Sequence, residues 1–86
     1  VEAEESLRRR VEEALRRAIG AILPTVPPEL VTGDKHLRDL GADSVDRIEI
    51  ILDVTARLGV DEPMSSFSDI PDIDALVDRL SRAVGA

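Results

Sequence analysis

The 86-residue chain carries 18 acidic against 11 basic residues, a net charge of −7. That is the wrong sign for a nucleic-acid backbone and leaves basic proteins as the natural partners. With no cysteine and a single histidine, His36, the sequence offers no disulfide or thiolate site and no zinc centre, which normally takes three or four nitrogen or sulfur ligands.

Hydrophobic residues make up 43% of the chain but Phe67 is its one aromatic, so an aliphatic core suited to helices is expected, without the stacking platform of a single-strand binder. No spaced acidic loop of the EF-hand kind is present, and no metal site is expected. No apolar run approaches the roughly 20 residues of a membrane span, and no signal peptide is evident. The expectation is a single domain over residues 1–86, monomeric and cytoplasmic, with no membrane contact. Its opening on Val1 suggests a sequence trimmed or excised from something longer.

A first helix is predicted from about Glu4 to Ile22, with Leu7, Val11, Ala14, Leu15, Ala18 and Ile22 at the three-and-four spacing of one face. Glu4–Arg8, Glu5–Arg9, Glu12–Arg16 and Glu13–Arg17 are i,i+4 pairs with the acid first, each contributing ~0.2–0.5 kcal/mol on a solvated face. These charges cancel, so the whole acidic excess lies downstream. Pro24, Pro27 and Pro28 end the helix and begin a connection of about 20 residues reaching Asp43, long enough to require its own anchors. Leu30, Val31, Leu37 and Leu40 are the candidates, and Gly41 allows a sharp turn before the next helix.

The second helix is predicted from Ser44 to about Leu58, stopped by Gly59. It carries two apolar stripes. Ile50, Ile51, Val54 and Leu58 are assigned to the core. Val45, Ile48 and Leu52 lie roughly opposite, edged by Asp46, Glu49 and Asp53 with Asp43 at the head. Both stripes could be core with the acids as a rim. The alternative is an apolar contact strip inside an acidic border, suited to docking on a basic, grooved enzyme. After Pro63 come a short turn near Phe67 and Ile70 and a last helix beyond Pro71, with Asp72 as its cap and Ile73, Leu76, Val77, Leu80 and Val84 on one face. The fold class expected is all-α, a bundle of three main helices plus one short helix.

On position alone Ser44 is a good helix N-cap. It lacks the parts of a hydrolytic nucleophile: His36 is eight residues upstream on a loop, no Gly-x-Ser-x-Gly elbow surrounds it, and nearby acids oppose an oxyanion. The chain is therefore not expected to be an enzyme, and no catalytic residue is assigned. The run Leu37-Arg38-Asp39-Leu40-Gly41-Ala42-Asp43-Ser44-Val45-Asp46-Arg47-Ile48-Glu49-Ile50 resembles the acyl carrier proteins, with the looser likeness covering the whole chain. The acid before Ser44 sets it apart from peptidyl carriers, which more often show a Gly-Gly-His-Ser type of sequence.

The resemblance implies a 4'-phosphopantetheine arm, taken from coenzyme A and attached at Ser44 by a phosphopantetheinyl transferase. It also implies that Asp43, Val45, Asp46, Arg47, Ile48, Glu49, Leu52 and Asp53 form the partner-binding face. Acyltransferases and a ketosynthase or hydroxymethylglutaryl-synthase-like enzyme would be its partners. Asp46-Arg47-Ile48-Glu49-Ile50 further resembles stand-alone carriers of polyketide β-branching cassettes, typically Asn-Ser-x-Asp-Arg-Ala-Glu-Ile, but Asp43 and Ile48 depart from that pattern. A fatty-acid or general chain-extension carrier is the alternative, and an unmodified acidic helical adaptor a more distant one. Arg47 could equally be a surface residue pairing with Asp43 or Asp46.

Overall fold

The computed structural model describes residues 2–67 and 70–85, with side chains from Ser6 onward except that of Met64. The expected Glu4–Arg8 and Glu5–Arg9 pairs lie outside the described side chains. Three helices, α1 (Glu2–Ile22), α2 (Ser44–Leu58) and α3 (Ile73–Gly85), form an all-helical bundle, and the described residues contain no strand. The short fourth helix is a single 3-10 turn, Met64–Phe67, and two further 3-10 turns, Pro28–Leu30 and Leu37–Leu40, punctuate the long first loop.

The core is aliphatic apart from Phe67. Val11, Leu15, Ala18 and Ile19 of α1 meet Ile50, Ile51 and Val54 of α2 and Ile73, Leu76, Val77 and Leu80 of α3, all buried. Ile19 extends the α1 face beyond the stripe read from the sequence. α1 packs against both other helices, whereas α2 and α3 approach each other little and are bridged by the Met64–Phe67 turn. The Arg79 guanidinium lies 5.8 Å from the Phe67 ring centroid and 3.3 Å from Glu62, which tie this turn to α3.

The first loop is anchored by Val31, Leu37, Leu40 and Ala42. Leu30 is not an anchor. It remains 51% exposed because the Pro28–Leu30 turn aims Val31, its neighbour, into the bundle instead. Arg16 explains how the loop is held. Its guanidinium donates to the carbonyls of Pro28 (3.3 Å) and Val31 (3.2 Å), so the expected Glu12–Arg16 pair does not form. Glu12 takes Arg8 at 3.3 Å, and Glu13–Arg17 forms as expected at 3.6 Å.

Farther along, the backbone N–H groups of Ile73 and Asp74 donate to the carbonyls of Lys35 and Gly33, 2.8 and 2.9 Å away. The loop thereby satisfies the first free donors of α3, while Asp72 accepts from Ala75 N–H at 2.8 Å as its cap. A Cβ on Gly33 would overlap the Asp74 carboxylate, so a larger residue there would make that side chain shift. Arg8 joins α1 to α3 through Asp78 and Asp74. Chiefly through its hydrogen bond to Asp78, its guanidinium is held above its ordinary value. Thr32 donates to Asp34 at 2.5 Å and holds that carboxyl below the usual range.

The two stripes of α2 part company in the bundle. Ile50 and Val54 are fully buried, but Val45, Ile48 and Leu52 are 61%, 46% and 56% exposed. Ile50→Ala should therefore cost about 2–5 kcal/mol in urea unfolding. Leu52→Ala should stay within about 0.5 kcal/mol of wild type. Equal losses would place both stripes in the core.

Candidate functional site

The Leu37–Leu40 turn ends at Gly41 in the left-handed region (φ 95°), a conformation that an L-residue with a Cβ seldom adopts. That reversal buries Ala42 and delivers Asp43 to the head of α2. Asp43, not Ser44, is the N-cap. Its Oδ1 accepts from Asp46 N–H at 2.8 Å, and Asp46 Oδ2 accepts from Asp43 N–H at 3.4 Å. This reciprocal box displaces the cap role expected of Ser44, because Asp43 supplies an acceptor one residue earlier.

Ser44 thus stands at the first helical position, exposed, its hydroxyl free of any capping bond. Its Oγ accepts from Arg47 Nη2 at 3.4 Å, one turn along the same face. Arg47 does not pair with Asp43 or Asp46. Among the described residues no carboxylate lies within 4.0 Å of its guanidinium, since both acids are turned back onto the backbone by the capping box.

Beside Ser44 opens a cavity of about 310 Å³ between α2, the Phe67 turn and the start of α3. Leu37, Ile48, Ile51, Phe67, Ile70 and Leu76 form its apolar wall, with Ser44, Arg47, His36 and Asp72 supplying polar groups. It exists because α2 and α3 are held apart while sharing α1. His36 has a defined task here. Its Nδ1 accepts from Arg38 N–H at 2.9 Å and its own N–H donates to Asp39 Oδ2 at 3.0 Å, a second capping box.

Every residue expected on the partner face lies on α2 or at its head. Asp43, Val45, Ile48, Glu49 and Leu52 are exposed, whereas Asp46, Arg47 and Asp53 are half-buried. Asp53 accepts from Arg57 Nε at 2.7 Å, which offsets its charge, so the acidic border is strongest over the first two turns. His36 and Asp72 as cavity-lining residues were not visible in the sequence, because only the packed loop brings them to Ser44. Among the described residues no group of acids and histidines could hold a metal ion, and no helix is long and apolar enough to cross a membrane.

Comparison with known proteins agrees with this geometry. The phosphopantetheine attachment site family model matches residues 13–80, and the chain belongs to that family. The chain is also 34% identical over 58 residues to a methylphloroacetophenone synthase of Cladonia uncialis, a match covering 67% of this chain and 2% of the relative. No solved structure matches significantly. The family's prosthetic group is covalent 4'-phosphopantetheine, and this is the protein's cofactor. The site fits it: an exposed hydroxyl on a firm helix end can be esterified without disturbing the core, with open volume beside it.

The capping roles give a clean contrast. Asp43→Ala should cost ~1 kcal/mol, read as a melting temperature lower by about 4–8 °C. Ser44→Ala should change stability by less than about 0.5 kcal/mol and leave the helical circular dichroism intact.

Proposed function

We propose that the chain is an acyl carrier domain of polyketide biosynthesis, modified at Ser44, and that it presents cargo to enzymes without catalysing a reaction itself. The observation that carries this reading is the placement of Ser44: exposed, uncommitted to the cap, and adjacent to the exposed strip of Val45, Ile48 and Leu52. The synthase relative supports the polyketide setting. Residues 1–86 would be a single unit, and a cytoplasmic location follows from its proposed partners.

Loading would require a partner, because among the described residues no carboxylate or imidazole hydrogen-bonds the Ser44 hydroxyl. A phosphopantetheinyl transferase would supply that base and bring coenzyme A. The Ser44 Oγ–P bond forms as the bond from phosphorus to the departing adenosine bisphosphate breaks, and the hydroxyl proton passes to the transferase. The group then supplies a thiol, which this cysteine-free chain lacks, for thioester chemistry. The helix end favours the added anion through its dipole and free N–H groups. Acyltransferases and a ketosynthase would dock on α2, with Asp43, Asp46 and Glu49 steering approach and the apolar strip making contact.

Within this reading we assign the subtype of a β-branching donor, on the Asp46-Arg47-x-Glu49-Ile50 arrangement. Among the described residues Arg47 has no carboxylate partner, which favours it, since the guanidinium is left available beside Ser44. The competing subtype is a fatty-acid or general chain-extension carrier, favoured by Asp43. An unmodified adaptor would use the same acidic helix and take no arm.

Incubation with a broad-specificity transferase and coenzyme A should add one arm, on the Ser44 peptide, by mass spectrometry. Ser44→Ala should take none, and modification at Ser6, Ser65, Ser66, Ser68 or Ser81 would refute the assignment. Ser68 lies outside the described residues.

Glu49→Lys should weaken transferase binding, and the wild-type affinity should fall as salt shortens the Debye length from about 8 Å at physiological ionic strength. Glu49 makes no capping bond, so this variant separates docking from folding. Binding unchanged by both perturbations would remove α2 as the docking face.

For the subtype, the loaded protein should serve a hydroxymethylglutaryl-synthase-like enzyme better than an extension carrier does. Arg47→Ala should reduce that use. Equal turnover by all three would leave only the broader carrier assignment.

A further inference from the structure

We infer that Arg47 receives the phosphodiester formed at Ser44 and holds it against the first turn of α2, fixing the direction in which the arm leaves the protein. The inference rests on the reading of Ser44 as the attachment point. Arg47 Nη2 already lies 3.4 Å from the oxygen to be esterified, so phosphorus attached there brings its unesterified oxygens within reach of the guanidinium. The Arg–phosphate pair is charge-assisted and can be bidentate, stronger than the neutral hydroxyl contact it replaces.

Charge makes this contact consequential. Asp43 and Asp46 flank Ser44 in the same turn, well inside a Debye length of about 8 Å, and would repel a phosphate. Their side chains are held by reciprocal capping bonds and do not neutralise Arg47. Five other arginines are committed elsewhere: Arg8 to Asp78, Arg17 to Glu13, Arg57 to Asp53, Arg79 to Glu62 and Arg16 to loop carbonyls. His36 also borders the cavity, but its Nδ1 is occupied by Arg38 N–H. Arg47 is half-buried on the wall of the same cavity, so an arm held there starts out across its mouth. Without that grip, repulsion from the two aspartates directs the arm outward.

The test compares unloaded and loaded forms of wild type, Arg47→Ala, Arg47→Lys and the distant control Arg82→Ala, with coenzyme A as the arm donor and loading confirmed by mass. In wild type, loading should shift the Arg47 Nε–Hε resonance, slow its exchange with solvent and raise the melting temperature by about 2–4 °C. Arg47→Ala should lose at least half of that rise and shift the 31P resonance of the loaded protein. Arg47→Lys should retain part of both effects, and Arg82→Ala all of them. An Arg47 resonance unmoved by loading, or the same temperature rise in Arg47→Ala, overturns the inference while leaving Ser44 as the attachment point. A wild-type chain that takes no arm at Ser44 overturns the functional reading itself, and this inference with it.

Discussion

The site depends on α1 being the shared partner of the other two helices. A single 21-residue helix with one buried face offers its side chains to both α2 and α3, which leaves those two little reason to meet. The space between them is occupied by one aromatic turn, Met64–Phe67, held in place by Arg79 and Glu62. Three consequences follow. α2 can bury only the side bearing Ile50 and Val54, its opposite stripe stays in solvent, and an apolar cavity opens next to its first turn.

Acidic residues in this molecule divide between structural and free roles, and the division shapes the surface. Asp43 and Asp46 close the α2 cap, Asp39 closes that of the preceding turn, Asp72 caps α3, and Asp74 and Asp78 hold Arg8. Asp53 is offset by Arg57. The caps satisfy backbone donors without cancelling charge, so Asp43 and Asp46 contribute both to folding and to the negative field around the serine. Glu49 carries no such duty. Substituting it separates electrostatic steering from stability, whereas substituting either aspartate mixes the two.

Much of this was legible in the sequence because it is local. Helical periodicity gave α2 and α3, and Gly59 stopped α2 in the left-handed conformation expected of it (φ 69°). The exposed stripe followed from the acids around it. The misreadings share one cause: choices between neighbouring residues decided by the path of the loop. Ser44 and Asp43 are both good caps, Leu30 and Val31 both good anchors, and Glu12 has arginines on either side. In each case the backbone geometry selected one, and single-residue preferences could not. His36 and Asp72 at the cavity were beyond local reading altogether, since 36 positions separate them and the Lys35–Ile73 hydrogen bond brings their neighbours together.

The cap's displacement by one residue bears on how a carrier can be modified at all. Were Ser44 the cap, esterifying it would replace a helix-terminating hydrogen bond with a bulky diester, and folding would depend on the state of loading. With Asp43 and Asp46 closing the helix between themselves, Ser44 is surrounded by fixed backbone yet contributes almost nothing to holding it. Among the described residues its hydroxyl has one side-chain contact, Arg47, which is cationic and would gain rather than lose a partner if the hydroxyl became the proposed phosphodiester. On the proposed reading, the fold would keep the same framework before and after loading, and partner enzymes would distinguish the two states by the arm and by the altered charge beside it.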